Sequence, residues 1–61
     1  MTDKEHIEQA YGSLLEKIFD NFFDSFTRAQ GDATAEAAAE NKYKANVAHA
    51  RFIRDRALAL L

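Results

Sequence analysis

Apolar side chains recur at steps of three and four along the first half of the chain, and this spacing constrains the fold more than any other feature. Such spacing places side chains on one face of an α-helix. The stripe holds four of the five phenylalanines in the chain. Its members are Ile7, Tyr11, Leu14, Leu15, Ile18, Phe19, Phe22, Phe23 and Phe26. The sequence therefore predicts one long amphipathic helix.

The N-terminal residues carry a signal for the start of this helix. Thr2 followed three residues later by Glu5 is the capping-box pattern, in which side chain and backbone bond reciprocally. Gly12 lies inside the stripe, and Ser13 directly after it offers an alternative helix start. We expect a continuous helix over about 3–29, because residues on both sides of Gly12 share one face.

The segment 30–34 is the only stretch of turn-forming residues in a chain that has no proline. Gly31 suits the left-handed position after a helix, and Asp32 or Thr34 can cap the next one. An alanine-rich second helix is expected over about 35–60. The prediction is one all-α domain, 1–61, folded as an antiparallel helical hairpin in which Phe19 lies opposite Tyr43.

The apolar stripe is too wide to be covered by one partner helix, so a hairpin of two helices would leave part of it exposed. It covers about 180° of the first helix, whereas packing against one helix uses about 100°. The chain has 61 residues and no cysteine, so no disulfide can support the small core. We expect a homodimer that closes a four-helix bundle, with docking onto a different protein as the rival. The predicted interface is Leu15, Ile18, Phe19, Phe22, Phe23, Phe26, Tyr43 and Val47.

The composition argues against catalysis, cofactors and membranes. There is no cysteine and no glycine-rich phosphate loop, and His6 and His49 are not spaced as metal ligands on a helix. We expect no enzyme activity, no cofactor and no metal site. The longest apolar run has five residues, at 57–61, where a membrane helix needs about 20. The charged N-terminus leads into no signal-type apolar core, so a cytoplasmic protein is expected.

Charge is divided unequally along the chain. Residues 1–32 carry seven carboxylates against three bases, and residues 33–61 carry three against five. Glu16, Asp20 and Asp24 form an acidic ridge at four-residue steps on the back of the first helix. The ridge is either a solvated face or an electrostatic docking strip for a cationic partner.

One aromatic residue falls outside the stripe. Helical spacing puts Ile53 on the core face of the second helix and Phe52 nearly opposite, so Phe52 is predicted to be exposed. Lys44, Arg51 and Arg56 are the cations expected around it. An exposed aromatic among cations can stack on RNA bases, anchor a second protein, or pack inside a higher oligomer, and the sequence leaves all three open.

The segment around Phe52 resembles a known family. Ala50-Arg51-Phe52-Ile53-Arg54, followed by Leu58, Leu60 and Leu61, is similar to the first helix of the Rop family of plasmid copy-number proteins. Ala48 and Arg56 stand where that family has an Asn and a Gln. The resemblance implies a hairpin that dimerises into a four-helix bundle and binds RNA, with Phe52 in the position of the RNA-contacting phenylalanine.

The sequence as a whole predicts a small helical interaction module or regulator without enzyme activity. We expect it to associate with itself and to dock a partner protein through its helix faces. The alternative is a Rop-like RNA-binding regulator that uses Phe52 and the surrounding basic residues.

Overall fold

The computed structural model describes all 61 residues as two antiparallel helices. Helix α1 spans Asp3–Ala29 and helix α2 spans Ala33–Ala59. There is no strand, and the two helices pack along their length. The predicted all-α helical hairpin is confirmed. Neither helix has an 18-residue stretch apolar enough to span a membrane.

The start of α1 has the expected cap. The Thr2 hydroxyl accepts a hydrogen bond from the backbone N–H of Glu5 at 3.2 Å. The Glu5 carboxylate accepts one from the backbone N–H of Thr2 at 3.3 Å. The helix then runs through Gly12 without a break, so the alternative start at Ser13 is not used. The stripe of apolar residues is therefore held on one rigid element.

The turn between the helices is set by a glycine and an aspartate. Gly31 has a φ of 93°, a left-handed conformation that favours glycine. The Asp32 carboxylate accepts hydrogen bonds from the N–H groups of Thr34 and Ala35, at 3.1 and 3.2 Å. Because Asp32 is the residue that caps it, α2 begins at Ala33, two positions before the predicted start.

The register of the hairpin differs from the predicted one. Tyr43 packs against Phe22, not Phe19, with 4.8 Å between ring centroids. Relative to the predicted Phe19–Tyr43 pair, this contact is displaced by three residues, or about one helical turn. Phe19 is left 53% exposed.

The hairpin is a single layer of helices. Its Cα atoms extend over 45 × 17 × 7 Å, with a radius of gyration of 14.3 Å. A compact chain of this length has a radius of gyration of about 10.5 Å. Only Ile18, Ala29 and Ala50 are buried. Since folded domains are built from at least two packed layers, the surfaces of this layer become the candidates for function.

Candidate interaction surfaces

One side of the hairpin carries five of the seven aromatic residues, and we call it the aromatic face. Phe19 and Phe23 on α1 are 53% and 62% exposed. Their ring centroids lie 6.4 Å apart, so they form one continuous apolar surface. The half-buried residues beneath and beside them are Leu15, Phe22, Phe26, Tyr43 and Val47. All seven belong to the oligomer interface that the sequence predicts.

Ile18, the eighth residue of that predicted interface, has a different place. Its side chain is only 8% exposed, between α1 and α2. Ala50, the most buried residue of α2, is 6% exposed. Ile18 therefore belongs to the hairpin's own core, and the surface open to a second molecule centres on Phe19 and Phe23.

The opposite side of the hairpin has an open groove between the N-terminal half of α1 and the C-terminal half of α2. Its volume is about 480 Å³. Leu14 on α1 and Ile53 on α2 stand at its mouth, 44% and 51% exposed. The apolar lining is Ile7, Ala10, Tyr11, Leu14, Ile18, Ala50, Ile53 and Ala57, and the polar lining is Asn46, His49 and Arg54. We call it the apolar groove.

The position of Ile53 corrects one prediction from the sequence. Helical spacing places Ile53 in the core, but half of its surface is accessible. Helix α2 approaches α1 through Ala50, and Ile53 lies about 60° around the helix from that line at 100° per residue. This rotation moves Ile53 from the core to the edge of the apolar groove.

Arg54 joins the two helices inside the apolar groove. Its guanidinium carbon lies 4.4 Å from the centroid of the Tyr11 ring, within the range of a cation–π contact. Arg54 also donates two hydrogen bonds to one carboxylate oxygen of Asp55, at 2.8 and 3.0 Å. A charged residue among the apolar residues of the groove is thus accommodated by stacking and pairing.

Phe52 is exposed, as the sequence predicts, with 58% of its surface accessible. The guanidinium carbon of Arg56 lies 5.9 Å from the ring centroid. Lys44 is eight residues earlier, about 12 Å along α2, and Arg51 points about 100° away around the helix. Of the predicted cations, the structure places Arg56 in contact with the ring.

The acidic ridge is exposed along its whole length. Glu16, Asp20 and Asp24 are all accessible on α1. Asp24 forms an ion pair with Arg28, one turn further on. No group of three histidine, cysteine or acidic side chains in the chain is arranged to hold a metal ion. The ridge is exposed in the hairpin, and its charge is partly neutralised at one end.

The apolar groove is the surface that the sequence analysis missed. The predicted stripe includes Leu14 on the same broad face as the phenylalanines. At 100° per residue, however, Leu14 and Ala10 fall on the other side of Ile18 from Phe19 and Phe23. Dividing the stripe at Ile18 would have shown two apolar faces, one on each side of the layer.

The chain's surfaces are the basis for any statement about its function. Comparison of the chain with protein-family models, with curated proteins and with solved structures finds no match.

Proposed function

We propose that this chain is a non-enzymatic helical interaction module that associates with itself through the aromatic face and docks a partner protein. The self-association is a homodimeric, antiparallel four-helix bundle. The observation that carries the proposal is the single-layer hairpin, on which two of the three exposed phenylalanines, Phe19 and Phe23, lie together on one side. We also propose that the protein is cytoplasmic, as expected from the sequence.

The solvent-accessible area of the hairpin is larger than that of a compact protein of the same mass, which supports a second layer that covers one face. The chain has a mass of 6.9 kDa and exposes 4789 Å². A compact protein of that mass exposes about 4000 Å², so the excess is about 800 Å². Stable interfaces of standard size bury about 800 Å² on each partner. A second copy on the aromatic face would remove an area of this order.

Charge supports a particular arrangement of the two copies. At 100° per residue, Glu16 lies at the edge of the aromatic face on α1, whereas Lys44 and Arg51 lie at its edge on α2, beside Glu40 and Asp55. A two-fold axis parallel to the helices places α1 of one copy against α2 of the other, antiparallel. Glu16 of one copy then lies on the same edge as Lys44 and Arg51 of the other, which favours this arrangement over pairing of like helices.

Two exposed phenylalanines give a matched test. Phe23 lies on the aromatic face and Phe52 outside it, and they are 62% and 58% accessible. Light scattering after size exclusion should show that Phe23→Asp halves the molar mass of the particle while Phe52→Asp leaves it unchanged. Circular dichroism checks that both variants remain helical. Splitting by Phe52→Asp but not by Phe23→Asp would contradict the proposal.

RNA binding is the second candidate function. The exposed Phe52 ring with the Arg56 guanidinium beside it favours this candidate, because aromatic stacking and a phosphate-binding cation together suit unpaired bases. The resemblance to the Rop family points the same way. RNA hairpins should then bind with an affinity that falls steeply with salt and is lost in Phe52→Ala. No retention of RNA at low salt would reject this candidate.

A further inference from the structure

We infer that the apolar groove binds an acidic amphipathic helix of a partner protein. This inference rests on the proposed function, because it assigns partner docking to one face and names the chemistry of the partner. The groove lies on the side of the hairpin opposite the aromatic face, so a helix bound there leaves self-association undisturbed.

The shape of the apolar groove fits one short helix. The α1 side of its lining runs from Ile7 to Ile18, a length of about 16 Å at 1.5 Å per residue, or about three helical turns. Leu14 and Ile53 face each other across the mouth and are both exposed. A helix bound between two helices packs apolar side chains at positions i, i+4 and i+7 into such a groove.

Along the length of its lining, the rim of the apolar groove has bases and no acids. On α1, His6 and Lys17 fall on the outer flank of the lining residues, at 100° per residue. On α2, His49 and Arg56 take the corresponding flank beside Ile53. All four are exposed. The rim thus offers two cations and two imidazoles to a docked helix.

The carboxylates of this part of the hairpin lie elsewhere. Glu8 and Glu16 lie on the aromatic-face side of α1, and Asp55 is bonded to Arg54. On the groove side of α1 the acids are Asp3, Asp20 and Asp24, which all lie beyond the two ends of the lining. The whole chain has a net charge of −2, but the side chains beside this groove are basic. Charge complementarity therefore favours a partner helix with acidic flanks.

The same charges disfavour a second copy as the occupant. Two groove faces brought together would set bases against bases, and like charges across an interface suppress association. The aromatic face differs, because it carries charges of both signs. The two faces are thus suited to different occupants.

A pair of synthetic peptides tests the inference. The first is a fluorescein-labelled helical peptide of about 14 residues, with leucines at i, i+4 and i+7 and glutamates on both flanks. The second replaces every glutamate by lysine. Fluorescence anisotropy should show that the glutamate peptide binds about tenfold more tightly at low salt, with the difference shrinking as salt rises. Equal binding of the two peptides, or no binding of the glutamate peptide, would overturn the inference.

Two variants locate the site and separate it from self-association. Ile53→Asp places a charge at the groove mouth, on an exposed position where the helix tolerates it, and should weaken binding of the glutamate peptide at least about tenfold. Phe23→Asp should leave peptide binding unchanged while it splits the dimer. If Ile53→Asp splits the dimer and spares peptide binding, the groove is a self-association surface and the inference is wrong. If Phe23→Asp leaves the dimer intact while Ile53→Asp still abolishes peptide binding, only the proposed self-association fails.

Discussion

Phe22 on α1 and Tyr43 on α2 pack ring against ring across the hairpin, with 4.8 Å between centroids and 41° between planes. Phe22 also contacts Phe26, at 5.5 Å between centroids. Phe22–Tyr43 is the aromatic pair that joins the two helices. It fixes which residues of the helices face each other, and therefore which side chains are left for the two open faces.

Removal of the Tyr43 ring should destabilise the hairpin measurably. Tyr43 is half-buried, so Tyr43→Ala is expected to lower the free energy of unfolding by about 2 kcal/mol through lost burial and ring packing. Urea denaturation followed by circular dichroism, at one fixed protein concentration, measures this change. Phe52→Ala is the control, since its exposed ring should alter stability by less than about 0.5 kcal/mol. Equal losses in both variants would contradict the importance of the interhelical pair.

The two glycines should respond in opposite directions to alanine. Gly31 has a φ of 93°, and a Cβ atom there costs about 1 kcal/mol through backbone strain alone, since no atom lies within 4 Å of it. Gly12 is inside α1, where an added methyl group would also meet open space. Gly12→Ala should stabilise by about 1 kcal/mol. Thermal melts of the two variants beside the wild type check the signs, and a shift of both in the same direction would refute this account of the turn.

The Arg54 guanidinium should contribute to stability through Tyr11. Arg54→Met keeps the apolar stem but loses the cation over the ring, and about 1 kcal/mol of stability is expected to go with it. Arg54→Lys should recover only part of this, because an ammonium lacks the planar surface that stacks. Arg51→Met, at an exposed neighbouring position, is the control. Denaturant titrations in which Arg54→Met matches the wild type would show that the contact contributes nothing.

Much of the fold was predictable because the local signals agree with one another. The Thr2 and Glu5 pattern gives the start of α1, and Gly31 with Asp32 gives the turn, since each acts on backbone groups within a few residues. The exposure of Phe52 also follows from helical spacing alone. These predictions needed no knowledge of how the two helices rotate against each other.

The features that were not predicted depend on how the two helices slide and rotate against each other. A shift of about one helical turn moved Tyr43 from Phe19 to Phe22. The same packing brought Ile53 to the groove edge and left it 51% exposed. Small residues such as Ala50 allow α2 to approach α1 at many angles, so the sequence pattern does not select one of them. The apolar groove is a consequence of the angle that the packing adopts.

The molar mass of the wild-type chain in solution tests the central claim most directly. Sedimentation equilibrium over a dilution series, at micromolar concentrations, measures it without a variant. We expect twice the chain mass of 6.9 kDa, because the single-layer hairpin buries only three residues and the aromatic face needs a second copy to cover it. A helical particle of 6.9 kDa throughout the series would contradict the account.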